Sequence, residues 1–285
     1  MRPLLVALLL ALLAPLTRAA PPFFFIQLSD PQMGMFADNA NFTQDAANFE
    51  FAVAAVNRLR PAFVVITGDL VNKAGDATQI AEFRRIVGKI DAAIPVHLMP
   101  GNHDVANVPT PATLAAYTAL HGPDHYVFRH GDFVGLVLNS TVIHTPTHAS
   151  AELAAQDRWL RAELAKAKAD GAKHLAVIQH HPWFLKTADE PDQYFNIPLA
   201  RRTPLLALFR ESGVRTLISG HYHRNAEAAD GALAQIVTGA VSKPLGGSKS
   251  GLRVFIVRDE KIESRFHDFG DLPVRVDLAP AAATK

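Results

Sequence analysis

The sequence predicts an α/β fold in which two sheets pack together with helices outside. Three observations predict it. The first half alternates short apolar runs with stretches of helical periodicity, the last third is rich in strands, and five apolar runs end in clusters of Asp, Asn or His. With 285 residues, 49% of them apolar and 19% charged, the chain has the material for a large core.

Phe23–Leu28 reads as the first strand and runs into Ser29-Asp30-Pro31-Gln32. Phe49, Val53, Val56 and Leu59 recur at helical spacing over residues 43–60, and Pro61 stops the helix. Residues 63–67 are apolar up to Thr67, as in a strand buried on both faces, and lead to Gly68-Asp69. A helix over residues 78–90 places Ile80, Phe83, Ile86, Val87 and Ile90 on one face. A strand over 94–99 ends at Gly101-Asn102-His103-Asp104, and a short helix follows over 111–120.

Residues 126–129 and 133–138 read as a hairpin turning at Gly131-Asp132. Residues 139–150 read as a loop. Residues 152–168 are the clearest helix, with Leu153, Trp159, Leu160 and Leu164 inward and Gly171 beyond its end. A strand over 174–179 delivers His180 and His181. Residues 183–201, interrupted by Pro191 and Pro198, read as a lid, with Trp183, Phe184, Tyr194 and Phe195 either lining a pocket or, as is commoner for aromatics near strand ends, packing. A helix is expected over 204–211, and strands over Thr216–Ser219, 233–238, 252–257 and 262–269. No repeat or internal boundary breaks this pattern, which gives one domain over residues 21–277 and a flexible C-terminal tail over 278–285.

The N-terminus reads as a signal peptide over residues 1–20. Arg2 is a positive start, residues 4–16 are an apolar run, and Thr17-Arg18-Ala19-Ala20 offers small residues for cleavage. The run falls short of the roughly 18 residues of a spanning helix, so the mature chain is expected to be periplasmic or secreted, without a stable membrane span. Cleavage takes Arg2 and Arg18 from the 28 basic residues, leaving 26 against 27 acidic ones. Such a balance does not attract a nucleic-acid polymer. The chain has no cysteine, which excludes disulfides, thiolate nucleophiles and Cys-zinc sites.

The residues gathered at the strand ends are Asp30, Asp69, Asn102, His180, His221 and His223. Carboxylate, amide oxygen and imidazole are the donor set of a borderline divalent metal such as Mn, Fe, Zn or Co. Two ions about 3.5–4 Å apart need about this many ligands and a carboxylate between them.

In order, Asp30-Pro31-Gln32, Gly68-Asp69, Gly101-Asn102-His103-Asp104, His180 and Gly220-His221-Tyr222-His223 resemble the motifs of the calcineurin-like metallophosphoesterases. Asn107-Val108-Pro109-Thr110, Tyr194-Phe195-Asn196 and Arg224-Asn225 are similar to the calcineurin-like phosphoesterase domain-containing branch, once called the complete S-transactivated proteins. The resemblance spans about residues 23–267 and implies a four-layer α/β/β/α sandwich of two mixed sheets flanked by helices. It implies two divalent metal ions, the first on Asp30, Asp69 and His223, the second on Asp69, Asn102, His180 and His221. His103 would serve the leaving oxygen and Asp104 would orient the His103 ring. Gln32 stands where the wider superfamily has a histidine ligand; it offers only a neutral amide oxygen or holds a water, so the first site should be the weaker. His181 is either a phosphate contact or exposed. Arg224 contacts phosphate or pairs with a carboxylate.

The implied function is hydrolysis of a small phosphorylated substrate, a phosphomonoester, by a hydroxide bridging the two metals. A phosphodiesterase acting on nucleotide or glycerophospho compounds is the first alternative. A catalytically weak metal-binding module is the second, favoured by Gln32 and disfavoured by the intact Asn102, His103 and Asp104.

Overall fold

The computed structural model describes residues 21–259 and 261–279. The expected leader over 1–20 and all but the start of the expected tail lie outside the described residues. In chain order the first half comprises β1 (Phe23–Leu28), α1 (Thr43–Leu59), β2 (Val64–Ile66), α2 (Ala77–Val87), β3 (Val96–Leu98), α3 (Asn102–Val105) and α4 (Pro111–His121). Next come β4 (Tyr126–His130), β5 (Phe133–Val137), α5 (Ser140–His144), α6 (Ser150–Ala169), β6 (His174–Ile178) and α7 (Leu199–Ser212). The chain closes with β7 (Thr216–Ser219), β8 (Ala226–Asp230), β9 (Leu233–Val237), β10 (Gly251–Arg258) and β11 (Lys261–Asp268).

Two mixed sheets result, ordered β11-β10-β1-β2-β3 and β4-β5-β6-β7-β9-β8. In the first, β1, β2 and β3 are parallel, and β10 and β11 are antiparallel additions. In the second, β5, β6, β7 and β9 are parallel between antiparallel edges β4 and β8.

Alternation along β1 shows how the layers form. Ile26 and Leu28 pack with Phe49, Val53 and Val56 of α1. Phe25 joins a separate cluster with Phe63, Phe133, Ile178 and Phe255, drawn from both sheets. Its ring stacks between Phe63 and Phe255 with centroids 4.7 Å away on each side. Truncating such a buried ring to alanine costs about 3–5 kcal/mol. Helices α1 and α2 pack together beside one sheet, and α5, α6 and α7 form a second helical group. This is the expected sandwich of two mixed sheets flanked by helices.

Five local features differ from expectation. The loop over 139–150 contains α5, because the Asn139 side chain caps the N–H groups of Thr141 and Val142. Helix α7 begins at Leu199, before Pro204, because Asp192 Oδ1 accepts the Leu199 N–H at 2.6 Å and gives the helix an earlier start. On α6 it is Gln156 that is buried, bonded through both amide atoms to the Asn139 backbone, while Trp159 is only half-buried. Strand β8 was not anticipated in Ala226–Asp230, whose composition favours no strand. The segment over 183–198 is pinned rather than free. Glu190 accepts from the N–H groups of Leu185 and Lys186 and from Asn196 Nδ2, and Trp183 and Phe184 are fully buried.

Candidate metal centre

The parallel strands of both sheets deliver their C-terminal loops to one end of the sandwich. Asp30 follows β1, Asp69 follows β2 and Asn102 follows β3; His180 follows β6, and His221 and His223 follow β7. All six are buried.

Two groups of donor atoms form there, Asp30 with Asp69 and His223, and Asp69 with His180 and His221. Within each group the donor atoms lie within 4.8 Å of one another. Asp69 is common to both. Asn102 joins the second group, its Oδ1 3.0 Å from His180 Nε2.

Backbone carbonyls fix the tautomer of all three imidazoles. His180 Nδ1 donates to Thr67 O at 2.8 Å, His221 Nε2 to Tyr194 O at 3.1 Å, and His223 Nδ1 to Lys243 O at 2.6 Å. Each ring therefore turns its other nitrogen toward the carboxylates, the atom that metal-binding histidines offer. The amide of Asn102 is fixed in the same way. Its Nδ2 donates to Asn107 Oδ1 and to the Tyr194 hydroxyl, which leaves Oδ1 for the centre.

The charges are strained without a cation. Burial raises the Asp30 carboxyl above its ordinary range, with His223 and His180 opposing. Burial would also raise Asp69, but His180 reverses this and brings it well below the ordinary range. Burial alone would lower His180; the Asp69 and Asp30 charges instead carry it up to about 9. Burial and the neighbouring His180 keep His221 well below its ordinary value.

The backbone is bent to reach this arrangement. Asp30, Gln32, Asp69, His221 and His223 have φ of 50°, 32°, 48°, 67° and 54°, the left-handed region that side chains other than glycine rarely adopt. His221 and His223 therefore do not share a side through an extended backbone; two left-handed residues aim them. The motif glycines serve close approach. A Cβ on Gly101 would lie 2.1 Å from Asp69 Oδ1, and one on Gly220 would lie 2.0 Å from Ser29 Oγ and 2.7 Å from Asp30 Oδ2.

Gln32 is buried beside this centre. Its Nε2 donates to Asn72 Oδ1 at 3.1 Å, while its Oε1 is buried with no hydrogen-bond partner. A buried amide oxygen without a partner, on a residue whose own backbone N–H donates to the Asp69 carbonyl at 2.8 Å, fits a cation-binding site.

The expected pairing of Asp104 with His103 is not found. Asp104 accepts backbone N–H groups from Leu70, Val71 and Gly101, and so ties the loops after β2 and β3 together. His103 Nδ1 instead donates to the Asn72 carbonyl at 2.7 Å. Three peptide N–H groups already occupy both oxygens of Asp104, and the ring turns to the Asn72 carbonyl. His181 is buried rather than exposed. It bonds to Ser140 Oγ at 2.9 Å, stacks on His144 at 4.7 Å and packs against His221 at 4.3 Å. Arg224 lies over the Tyr222 ring at 5.0 Å, with Nη1 3.4 Å from the hydroxyl. No ion pair among the described residues includes it.

Sequence reasoning missed Asn72 and Lys243, whose parts are played by backbone carbonyls, and it named Asn107 only within Asn107-Val108-Pro109-Thr110, without its role of holding the Asn102 amide. It left Tyr194 and Phe195 between pocket lining and packing. Tyr194 is 53% exposed, yet it holds both Asn102 and His221, and Phe195 packs against His221 at 5.5 Å.

Comparison with known proteins gives the family and the fold. The chain is 37% identical over 266 residues to the serine/threonine-protein phosphatase CPPED1 of Bos taurus, across 88% of this chain and 85% of that protein. Its fold is similar to GAP50, the anchor in the inner membrane complex of Plasmodium, with a TM-score of 0.65 at 14% identity over 90% of this chain and 87% of that one. It is similar also to the purple acid phosphatase PPD1 of yellow lupin seeds, with a TM-score of 0.66 at 15% identity over 90% and 53% of the two chains. These two likenesses show the fold alone. The calcineurin-like phosphoesterase family model matches residues 25–225. With a donor set for two divalent ions built on that fold, the chain belongs to the calcineurin-like phosphoesterases and is a metal-dependent phosphoesterase.

Proposed function

We propose that this protein hydrolyses small phosphomonoesters, and does so outside the cytoplasm. The observation that carries the reading is Asp69 shared between two buried donor groups, an arrangement that suits a two-ion clamp on an in-line phosphoryl hydrolysis. CPPED1 is named a serine/threonine phosphatase; phosphoserine and phosphothreonine are monoesters, which supports the same bond class here. The apolar run over residues 4–16 supports export.

Asp30, Asp69, His223 and the Gln32 amide oxygen hold the first ion. Asp69, Asn102, His180 and His221 hold the second. When bound, the ions supply Lewis acidity and lower the pKa of a water toward neutrality. His103 keeps its Nδ1 proton on the Asn72 carbonyl, so Nε2 is the atom that carries a proton to the leaving oxygen. Asp104 holds the loop that carries Asn102 and His103 against the loop that carries Asp69. His181 and Arg224 shape the neighbourhood of the centre through His221 and Tyr222.

The test is metal-stripped mature chain, reloaded with Mn, Fe, Zn or Co singly and assayed on an aryl phosphate and its diester. Metal-dependent turnover that favours the monoester and is lost in Asp69→Ala supports the reading. Faster diester hydrolysis makes the protein a phosphodiesterase, and bound metal without turnover makes it a binding module. For export, a new N-terminus near Ala20 in the extracytoplasmic fraction is expected, whereas an intact Met1 would contradict it.

A further inference from the structure

Beneath the centre, a single file of buried polar groups lies between the two sheets, reaching the second sheet at Thr238 and returning to the first. Arg253 Nε on β10 donates to Thr238 Oγ1 at 3.0 Å. Thr238 Oγ1 donates to Gln27 Oε1 at 2.6 Å. Gln27 Nε2 on β1 donates to Thr67 Oγ1 at 2.9 Å, and Thr67 Oγ1 donates to Ser29 Oγ at 3.0 Å. Ser29 Oγ donates to Asp30 Oδ2. Every member of the file is buried.

Chemistry gives the file one direction. A guanidinium can only donate, so the Thr238 hydroxyl must accept from it and pass its own proton on. Gln27 must then present Oε1 to Thr238 and Nε2 to Thr67, an orientation that its second donation, to Ser219 O at 2.9 Å, also requires. Thr67 and Ser29 each have one hydroxyl proton; Thr67 has Ser29 Oγ at 3.0 Å as a nearer acceptor than Leu28 O at 3.5 Å, and Ser29 sends its proton to Asp30. All five bonds therefore point from a buried cation to Asp30. Such aligned bonds polarise one another and gain strength away from water.

At the far end, Asp30 Oδ2 accepts from Ser29, both Asp30 oxygens lie 3.2 Å from the His221 backbone nitrogen, and Oδ1 lies 3.5 Å from His223 Nε2. The group that holds the first ion is short of charge. Gln32 contributes a neutral amide, and Asp69 is shared with the second group.

We infer that Arg253, Thr238, Gln27, Thr67 and Ser29 form a positioning relay that fixes the Asp30 carboxylate and so retains the first metal ion. The inference rests on the two-ion reading above. The relay touches no substrate; it acts through Asp30. Thr67 also accepts the His180 Nδ1 proton on its carbonyl, but that bond comes from the backbone and survives a change of side chain.

The test uses the mature chain with Mn2+ alone, counting bound ions after dialysis and titrating affinity by calorimetry. His223→Ala identifies which ion is the first. Thr238→Val breaks the file far from the metal; it is expected to weaken the first ion about tenfold, the lower end for partners of metal ligands, and leave the second unchanged. Thr238→Ser restores the hydroxyl and should bind as the parent does. Ser29→Ala, one bond from Asp30, should weaken the same ion at least as much, and it provides the test should the valine variant fold poorly. Parent-like affinity for both ions in Thr238→Val and Ser29→Ala overturns the relay. So does equal weakening of both ions, or a serine variant as weak as the valine one. A parent chain that binds fewer than two Mn2+ overturns the two-ion reading itself, an outcome separate from any effect of Thr238.

Discussion

His180 Nε2 and His221 Nδ1 face each other at 3.1 Å, and each ring already gives its other hydrogen to a backbone carbonyl. Two lone pairs at that distance need a cation between them. In the metal-free centre a proton on His180 serves, because Asp69 outweighs burial and carries the ring up to about 9.

A metal ion must displace that proton. Apparent affinity for Mn2+ is therefore expected to rise about tenfold per pH unit below the His180 value and to level off above it. Calorimetric titrations at about pH 6 and about pH 8, in two buffers of different ionisation enthalpy, measure both the slope and the proton released. A pH-independent affinity would show that His180 is not protonated in the empty centre.

The same proton sets the stability of the metal-free protein. A group whose folded value lies above its ordinary one stabilises fully at low pH and loses that contribution as pH rises through the folded value. For His180 the loss runs from its ordinary 6.5 to about 9. Calorimetry of chelator-treated protein should show the melting temperature falling across this window, by on the order of a few kcal/mol in stability. The metal-loaded protein should hold its stability there.

Gly101→Ala is expected to abolish metal binding while leaving most of the fold in place. The added Cβ would sit 2.1 Å from Asp69 Oδ1 and 2.3 Å from the Asp69 backbone nitrogen, so the shared carboxylate has to move. Ion counting should show a loss at both positions, and turnover should fall by at least about 10²-fold. Full occupancy by two ions would show that the loop yields without cost.

His103→Ala should separate chemistry from metal binding. Loss of a positioned general acid lowers kcat by about 10²- to 10⁴-fold, and both ions should remain because His103 belongs to neither donor group. Asp104→Asn should behave differently. It leaves one of three backbone N–H bonds badly matched and should cost about 1–3 kcal/mol of stability, measurable by urea denaturation.

Tyr194→Phe removes the hydroxyl that holds Asn102 Nδ2 at 3.2 Å but keeps the carbonyl that holds His221. An effect of about 1 kcal/mol, roughly fivefold in kcat/KM, is expected, with the ion count unchanged. Loss of an ion in this variant would place the Tyr194 side chain, rather than its backbone, in the support of the centre.

Most of the framework was legible because its signals are local. The run Phe23–Leu28 matched β1 residue for residue, and the five polar strand ends converge as their order implied. Strand β8 was missed since Ala226–Asp230 is stabilised by its partner β9 and by the turn at Gly231, with φ of 61°. The Asp230-Gly231 pair was the one signal that could have revealed it. The role of Asp104 was misjudged because a carboxylate beside a histidine in sequence need not reach its ring; the loop fold sent it to three N–H groups. Asn72, Lys243 and the Tyr194 carbonyl were invisible because backbone oxygens leave no mark on the sequence.

The carboxylates and Asn102 come from loops of one sheet, and the imidazoles come from loops of the other. Asp30 and the His221 backbone meet across 191 residues of chain. Two ions bound there would tie the two sheets together as a cross-link does, adding to the core packing and the polar contacts that already join them. In a protein with no cysteine, the reaction centre is thus also the staple between its halves.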